Sequence, residues 1–169
     1  MEIYHGSNIT VSQPLAQAGR RNLDFGRGFY TTRLKSQAQK WALLVASRKK
    51  KNSEGIISTY EFNEECFASE EYVYKNFPVY DMEWLEFVVA CRNGKDETNY
   101  DIVEGGVAND QVIDTVEDYE NKRITAEQAL DQLKFKKPNN QICIRSQEII
   151  DRYMQFKNAE TVRKEDAAQ

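Results

Sequence analysis

Three short stretches of the sequence carry polar and aromatic residues of types that suit ligand binding. The first is YHGS, in which His5, the only histidine of the chain, precedes Gly6 and Ser7. Glycine has no Cβ, so a ligand can approach the backbone closely beside the polar side chain. A lone histidine is more often structural than functional, and this stretch by itself does not predict an enzyme.

The second stretch is FGRGFY, residues 25–30, which contains Gly26 and Gly28 but neither a third glycine nor Gly-Lys-Ser/Thr. An aromatic strand follows it instead of a helix, which excludes the dinucleotide fingerprint and the Walker loop. Two interpretations stay open. The stretch is a turn into a core strand, or it is a close glycine approach in which Tyr30 offers its ring face to a flat ligand.

The third stretch is NQICI, residues 140–144, where Gln141 alternates with two isoleucines. This pattern predicts a strand with unlike faces, on which Gln141 is either a surface residue or a ligand-binding one. The pair Asn109-Asp110 after two glycines is interpreted as a helix cap or as turn chemistry. The glutamate pairs at 64–65 and 70–71 are typical of acidic loops.

Length and composition favour one cytoplasmic domain without a metal site. The chain has 169 residues, and single domains typically have roughly 100–200. Its three cysteines are widely spaced and form no CxxC pair, which argues against zinc and a disulfide framework. The net charge of −4 argues against broad nucleic-acid binding. We expect no signal peptide and no membrane helix.

The order of apolar, polar and turn residues predicts an α+β domain in which strands and helices do not alternate regularly. Strands are expected at 2–7, 28–32, 55–63, 73–77, 100–108 and 140–146. Helices are expected at about 36–50, 82–91, 111–121 and 125–134, and from 147 through Tyr153 to Phe156. Ser36, Thr125 and Ser146 are the predicted N-caps. The polar tail 158–169 is expected to be frayed.

Taken together, the three stretches resemble the diphtheria-toxin-like branch of the ADP-ribosyltransferase superfamily. Members carry His-Gly-(Ser/Thr) on a first strand, Gly-x-Gly-x-Tyr entering a middle strand, and a polar residue, usually Glu, on a late strand. Here YHGS supplies His5, GRGFY supplies Tyr30, and NQICI places Gln141 where the glutamate would stand.

Two further similarities refine this resemblance. In members similar to poly-ADP-ribose polymerases, a second aromatic residue lies eleven positions after the motif tyrosine, which here is Trp41, and a small polar residue lies three positions before it, which here is Ala38. The motifs YHGS, FGRGFY, WLEFV, GGVAND and NQICI occur in the order typical of a small bacterial branch of unknown function. Genes of that branch often neighbour a partner gene in a toxin–antitoxin-like arrangement.

The resemblance implies an ADP-ribosyltransferase-like domain over residues 1–157, with split mixed and antiparallel sheets surrounded by helices. It implies NAD⁺ as co-substrate, an unknown ADP-ribose acceptor, and catalytic roles for His5, Tyr30 and Gln141. His5 would bind a ribose hydroxyl, and Tyr30 and Trp41 would sandwich the nicotinamide. Further cofactor-binding residues implied are Gly6 for the carboxamide, Ser7 for the adenosine-side ribose, Gly28, and Arg20 or Arg27, with Arg21 as a third candidate, for the diphosphate.

Gln141 leaves the function open at this point. Glutamine keeps a hydrogen bond to the ribose and loses the negative charge near the developing cation, which favours single transfer over polymer formation. The leading hypothesis is a mono-ADP-ribosyltransferase, as a bacterial toxin restrained by a neighbouring antitoxin-like protein. The alternative is a weak or inactive NAD- or ADP-ribose-binding pseudoenzyme that acts through a protein partner. A tRNA 2′-phosphotransferase and a purely structural protein are the remaining interpretations.

Overall fold

A computed structural model describes residues 1–48, 54–108, 112–134, 136 and 139–163. Its strands are β1 (Glu2–Ser7), β2 (Phe29–Thr31), β3 (Gly55–Phe62), β4 (Tyr74–Phe77), β5 (Ile102–Gly105), β6 (Gln141–Ile144) and β7 (Met154–Val162). Its α-helices are α1 (Lys35–Ser47), α2 (Met82–Arg92), α3 (Ile113–Glu120), α4 (Ala126–Leu133) and α5 (Gln147–Tyr153). Within these ranges, no helix is long and apolar enough to cross a membrane.

The strands form two sheets, which confirms the predicted α+β class with mixed and antiparallel sheets. The three-stranded sheet has the order β1-β3-β7 and is antiparallel throughout. The four-stranded sheet has the order β2-β6-β5-β4 and is antiparallel except for the parallel pair β4–β5. One bridge, between Tyr4 of β1 and Thr32 just after β2, connects the two sheets.

Three apolar clusters place these elements in layers. Helix α1 packs on the outer face of the three-stranded sheet through Ala38 and Ala42. Isoleucines and aromatic residues of β1, β2, β3, β5 and β6 fill the space between the two sheets. Helices α2, α3 and α4 cover the far face of the four-stranded sheet. The opposite faces of β6 thus serve two cores, with Ile142 and Ile144 in the central one and Cys143 in the outer one.

The C-terminal part of the domain differs from the sequence prediction. Helix α5 ends at Tyr153, and β7 follows immediately and contains Phe156, which was predicted to be helical. The prediction of a frayed tail was wrong for residues 158–162, because β7 pairs along β3 as far as Val162. Strand β1 pairs with one edge of β3, and β7 pairs with the other edge, which would otherwise expose unpaired backbone groups. Residues 164–169 lie outside the described residues.

Helix ends follow the predicted capping chemistry at one of three positions. Thr125 forms a capping box with Gln128, as predicted. Helix α1 instead begins at Lys35, so Ser36 is not its cap, and Leu34 at the N-cap position provides no side-chain hydrogen bond. Ser146 occupies the N-cap of α5 without a side-chain capping bond.

Candidate functional site

The two sheets meet at β1 and β2, and these strands separate after one bridge. Tyr4 and Thr32 exchange two backbone hydrogen bonds of 2.9 Å each, and no further pair forms between these strands in the described residues. The same antiparallel register would place Gly6 opposite Tyr30, where the strands are no longer paired. We call the place where the two strands separate the β1–β2 cleft.

Gly6 presents its peptide groups to the β1–β2 cleft. Tyr4 directs its N–H and C=O toward β2, and backbone groups two residues further along a strand point to the same side. The N–H and C=O of Gly6 therefore face the cleft, and they form no hydrogen bond to β2. On its other side, a Cβ at Gly6 would lie 2.1 Å from the backbone oxygen of Ala38. The close approach predicted at this glycine is therefore made by helix α1.

His5 is held beside the cleft as a neutral imidazole. Its Nδ1 lies 2.7 Å from the carbonyl oxygen of Tyr30, which only accepts, so Nδ1 carries the proton. Burial lowers the pKa of His5, and the hydrogen bond to Tyr30 partly offsets that effect. The ring packs on Phe29 with 4.7 Å between centroids. Nε2 is consequently the one acceptor that His5 offers to a ligand.

Tyr30 uses its hydroxyl group to hold the preceding turn. The hydroxyl donates to the carbonyl of Gly26 at 2.6 Å and accepts from the backbone N–H of Phe25 at 3.1 Å. Burial raises the pKa of Tyr30 well above its usual value. The half-buried ring packs with the outer core beside α2. The hydroxyl of Tyr30 therefore stabilises the turn. The backbone carbonyl accepts the hydrogen bond from His5, so the ring is the part of Tyr30 left for contact with a ligand.

Gln141 starts β6 and lies on the same sheet face as Tyr30. Tyr30 pairs with Cys143, and Gln141 is two residues before Cys143, so their side chains share a face. The side chain of Gln141 is half-buried and makes no hydrogen bond to another described residue. His5, Tyr30 and Gln141 thus lie on three adjoining strands. The ring of His5 is on the Phe29 side, and the side chains of Tyr30 and Gln141 are on the other face.

Ser7 and Trp41 are the less constrained members of the predicted site. Ser7 lies on the same side of β1 as His5, because side chains alternate along a strand, and its hydroxyl has no partner in the described chain. Trp41 is 48% exposed on α1 and contacts no other aromatic ring among the described residues, Tyr30 included. Ala38, three positions before Trp41, is buried against β1.

The glycines of FGRGFY serve the packing of the loop. Gly26 has a positive φ of 71°, which favours glycine because it lacks a Cβ. A Cβ at Gly28 would lie 2.4 Å from Sγ of Cys143. The structure thus accounts for Gly28 by the approach of β6, and it gives no contact that assigns Gly28 to a cofactor.

Arg27 differs from the other two candidate arginines. It is half-buried, and its Nη1 donates to Oε1 of Gln17 at 3.2 Å. Its Nε is buried without a hydrogen-bond partner within the described ranges. Arg20 and Arg21 are exposed and form no ion pair with a described residue. An unpaired buried guanidinium nitrogen favours Arg27 as the residue that would meet an anion.

Comparison with known proteins identifies a family whose function is unknown. A family model described as a protein of unknown function (DUF3990) matches residues 1–156. The chain belongs to this family. No curated protein and no solved structure shows significant similarity to it. Membership of the family defines one domain over residues 1–156 but carries no function.

Sequence analysis missed a buried carboxylate that the DUF3990 domain places on β5, the strand that pairs with β6. Glu104 on β5 is 7% exposed. It accepts hydrogen bonds from Nε and Nη2 of Arg33 at 2.7 and 3.0 Å, from the hydroxyl of Tyr74 at 2.7 Å and from Nδ2 of Asn140 at 2.8 Å. Burial would raise the pKa of Glu104, but these bonds, led by those from Arg33, outweigh burial and lower it. A charged residue in the otherwise apolar strand IVEG was the available signal, because Glu is seldom buried unless it is paired.

A second missed residue, Asp24, anchors the loop after β5. It accepts a hydrogen bond of 2.8 Å from the backbone N–H of Ala108, and Arg92 lies 3.3 Å from its other oxygen. Burial raises the pKa of Asp24, and the contacts with Ala108 and Arg92 oppose that effect. Asn109 and Asp110, for which a cap or a turn was predicted, lie outside the described residues.

Proposed function

We propose that this DUF3990 protein is an NAD-dependent mono-ADP-ribosyltransferase. The observation that carries the proposal is the β1–β2 cleft, where the unpaired peptide groups of Gly6 lie next to His5. Tyr30 and Gln141 reach the same region from adjoining strands. The resemblance of the sequence motifs to the ADP-ribosyltransferase superfamily supports the same assignment.

The carboxamide of nicotinamide fits the open edge of β1. A primary amide has one acceptor oxygen and a donor NH₂, and the N–H and C=O of Gly6 offer the complementary pair. The ring of Tyr30 would bound one side of the nicotinamide. Trp41, exposed on α1, would have to turn toward the ring to bound the other side, and a cationic aromatic is attracted to such ring faces.

His5, Ser7 and Arg27 would hold the rest of the dinucleotide. The free acceptor Nε2 of His5 suits a ribose hydroxyl, which can donate a hydrogen bond. The unpaired hydroxyl of Ser7, on the same side of β1, suits the adenosine-side ribose. The unpartnered Nε of Arg27 suits the diphosphate, because hydrogen bonds between a guanidinium and phosphate oxygens are charge-assisted.

The reaction would break the bond between C1 of the ribose and the nicotinamide nitrogen. The electron pair leaves with neutral nicotinamide, the sugar passes through an oxocarbenium-like state, and the acceptor forms the new bond and releases its proton. Gln141 would donate or accept a hydrogen bond at the ribose without supplying negative charge. Loss of one preorganised electrostatic contact costs roughly 10²–10³ in rate, so a slow enzyme is expected.

Release of nicotinamide from NAD⁺ by the purified protein tests this proposal. We expect release by the wild type, loss in His5→Ala, and about 10²-fold faster release in Gln141→Glu, because the restored charge faces the developing cation. Arg123→Ala is the control expected to match the wild type, because the Arg123 side chain is 68% exposed and, among the described residues, pairs only with Asp118. Absence of release from all variants, in the presence of cell extract as a source of acceptor, would contradict the proposal.

One observation favours the second candidate, a binding protein that catalyses no transfer. Gln141 is uncharged, and Glu104, the buried carboxylate of the neighbouring strand, is neutralised by Arg33. Neither residue therefore supplies an unpaired negative charge to the cleft. Calorimetric titration with ADP-ribose separates the two candidates. Binding that is weakened by His5→Ala, together with no nicotinamide release even from Gln141→Glu, would establish the binding protein.

A further inference from the structure

The hydrogen bonds of Glu104 connect the strands on both sides of the candidate site. Asn140, which donates to Glu104, also accepts the backbone N–H of Arg33 through its Oδ1 at 3.0 Å. Asn140 directly precedes Gln141, so this side chain ties the start of β6 to β5 and to the segment after β2. Glu104 itself completes the triangle through its two bonds to Arg33.

The other end of the network lies at the point where β1 and β2 separate. Arg33 directly follows Thr32, whose backbone forms the bridge to Tyr4, and Tyr4 directly precedes His5. Arg33 is therefore connected to His5 through the Thr32–Tyr4 bridge, with one peptide bond on each side of it. Asn140 is joined to Gln141 by a single peptide bond.

We propose that Glu104 is a positioning residue that sets the distance between His5 and Gln141 by clamping Arg33 and Asn140 together. The inference rests on the proposed function for its catalytic consequence. Glu104 faces the space between the sheets together with Ile102, whereas Gln141 lies on the opposite face of the sheet with Cys143. Glu104 thus acts through the backbone of β6 and not by contact with a ligand.

Glu64 provides a matched control. It is the second acidic partner of Arg33, at 3.0 Å from Nη1, but its side chain is 48% exposed and makes no bond to Asn140. Glu104→Gln and Glu64→Gln remove the same charge from the same arginine. Only the first change alters the clamp, and Asn140→Ala breaks the clamp without changing any charge.

The experiment measures kcat of nicotinamide release and backbone amide hydrogen exchange in the same variants. Glu104→Gln and Asn140→Ala are expected to lower kcat by about 10- to 100-fold, the scale typical of small misplacements of reacting groups. In a Gln141→Ala background, either change is expected to lower kcat by less than about twofold, because the residue through which they act is absent. Exchange of the Gln141 amide is expected to be about tenfold faster in Glu104→Gln, and unchanged in Glu64→Gln.

Two results would overturn the inference. One is an equal loss of kcat from Glu104→Gln with and without Gln141, which would mean a general effect on the fold. The other is unchanged exchange at Gln141 in both Glu104→Gln and Asn140→Ala. If the wild type releases no nicotinamide, the proposed function fails, and the exchange result alone decides whether Glu104 holds Gln141 in place.

Discussion

At the scale of single residues, His5 and Tyr30 illustrate what the sequence contains and what only the structure adds. Their presence in YHGS and GRGFY identified both as candidates. The structure adds that Nδ1 of His5 is bound to the backbone of Tyr30 and that the Tyr30 hydroxyl is bound to Gly26. His5 therefore offers an acceptor through Nε2, and Tyr30 offers a ring and not a proton.

The titration of His5 is the first prediction at this scale. Burial lowers its pKa below the usual 6.5, so folding favours the neutral ring. The unfolded chain then binds a proton first as the pH falls, and His5 costs stability progressively below pH 6.5 until the folded pKa is reached. Proton NMR of the single histidine should give a midpoint below 6.5. A midpoint above 6.5 would contradict the neutral acceptor.

The hydroxyl of Tyr30 gives the second prediction. Tyr30→Phe keeps the ring but leaves the buried N–H of Phe25 without its partner, which costs about 1–3 kcal/mol of unfolding free energy. Tyr72→Phe is the control, because its hydroxyl bonds to exposed groups, Glu148 and Arg152, and should cost less than about 1 kcal/mol. Urea unfolding measures both, and equal losses would mean that the Tyr30 hydroxyl is not structural.

At the scale of elements, the sequence identified every strand that carries the candidate site. Aromatic and β-branched residues indicated β2, alternating isoleucines indicated β6, and apolar residues at helical spacing indicated α1. What it could not give depends on distant partners. Glu104 is buried because Arg33 and Asn140, 71 and 36 residues away, supply its donors. The segment 154–162 is a strand because β3 has an edge to pair, although its local pattern through Phe156 is compatible with a helix.

The contact between α1 and β1 gives a prediction about Gly6. In Gly6→Ala the new Cβ would lie 2.1 Å from the oxygen of Ala38 and 2.8 Å from the nitrogen of Ala42, both backbone atoms of α1. The helix must move away, which should cost about 1–3 kcal/mol or more of stability. Ser7→Ala on the same strand should change stability by less than about 0.5 kcal/mol. Equal unfolding temperatures of the two variants would contradict close packing of α1 on Gly6.

Strand β7 gives a prediction about truncation. A chain ending at residue 157 loses all of the pairing that β7 makes with Gly55–Thr59, and it exposes the edge of β3. We expect this chain to aggregate or to unfold without cooperativity, whereas a chain ending at residue 163 should unfold like the full-length protein. Circular dichroism during urea titration distinguishes them. Cooperative unfolding of a soluble chain of residues 1–157 would contradict this prediction.

At the scale of the whole molecule, the layer order gives the proposed dinucleotide site its position. The cleft lies where the two sheets join at Tyr4 and Thr32, so a ligand bound there would meet groups of both sheets. The net charge of −4 argues against a broad anionic partner, and the proposed diphosphate contact relies on Arg27 and not on an extended basic surface.

Growth of bacteria that express the protein tests the proposed toxin role. If transfer of ADP-ribose harms the cell, induction of the wild type should slow growth, and His5→Ala and Tyr30→Ala should restore it at equal protein levels. The protein levels are compared by immunoblot, because an unstable variant would also restore growth. Equal toxicity of the wild type and both variants would contradict a toxin that acts through this cleft.

Titration of ¹⁵N-labelled protein with NAD⁺, followed by NMR, tests the proposed nicotinamide site without requiring turnover. We expect the backbone amide of Gly6 and the side-chain amide of Gln141 to shift together as NAD⁺ is added. Nicotinamide alone should shift Gly6, and the amide of Gly94, on the loop after α2, should stay in place. Unchanged Gly6 and Gln141 resonances at saturating NAD⁺ would contradict a nicotinamide site in the β1–β2 cleft.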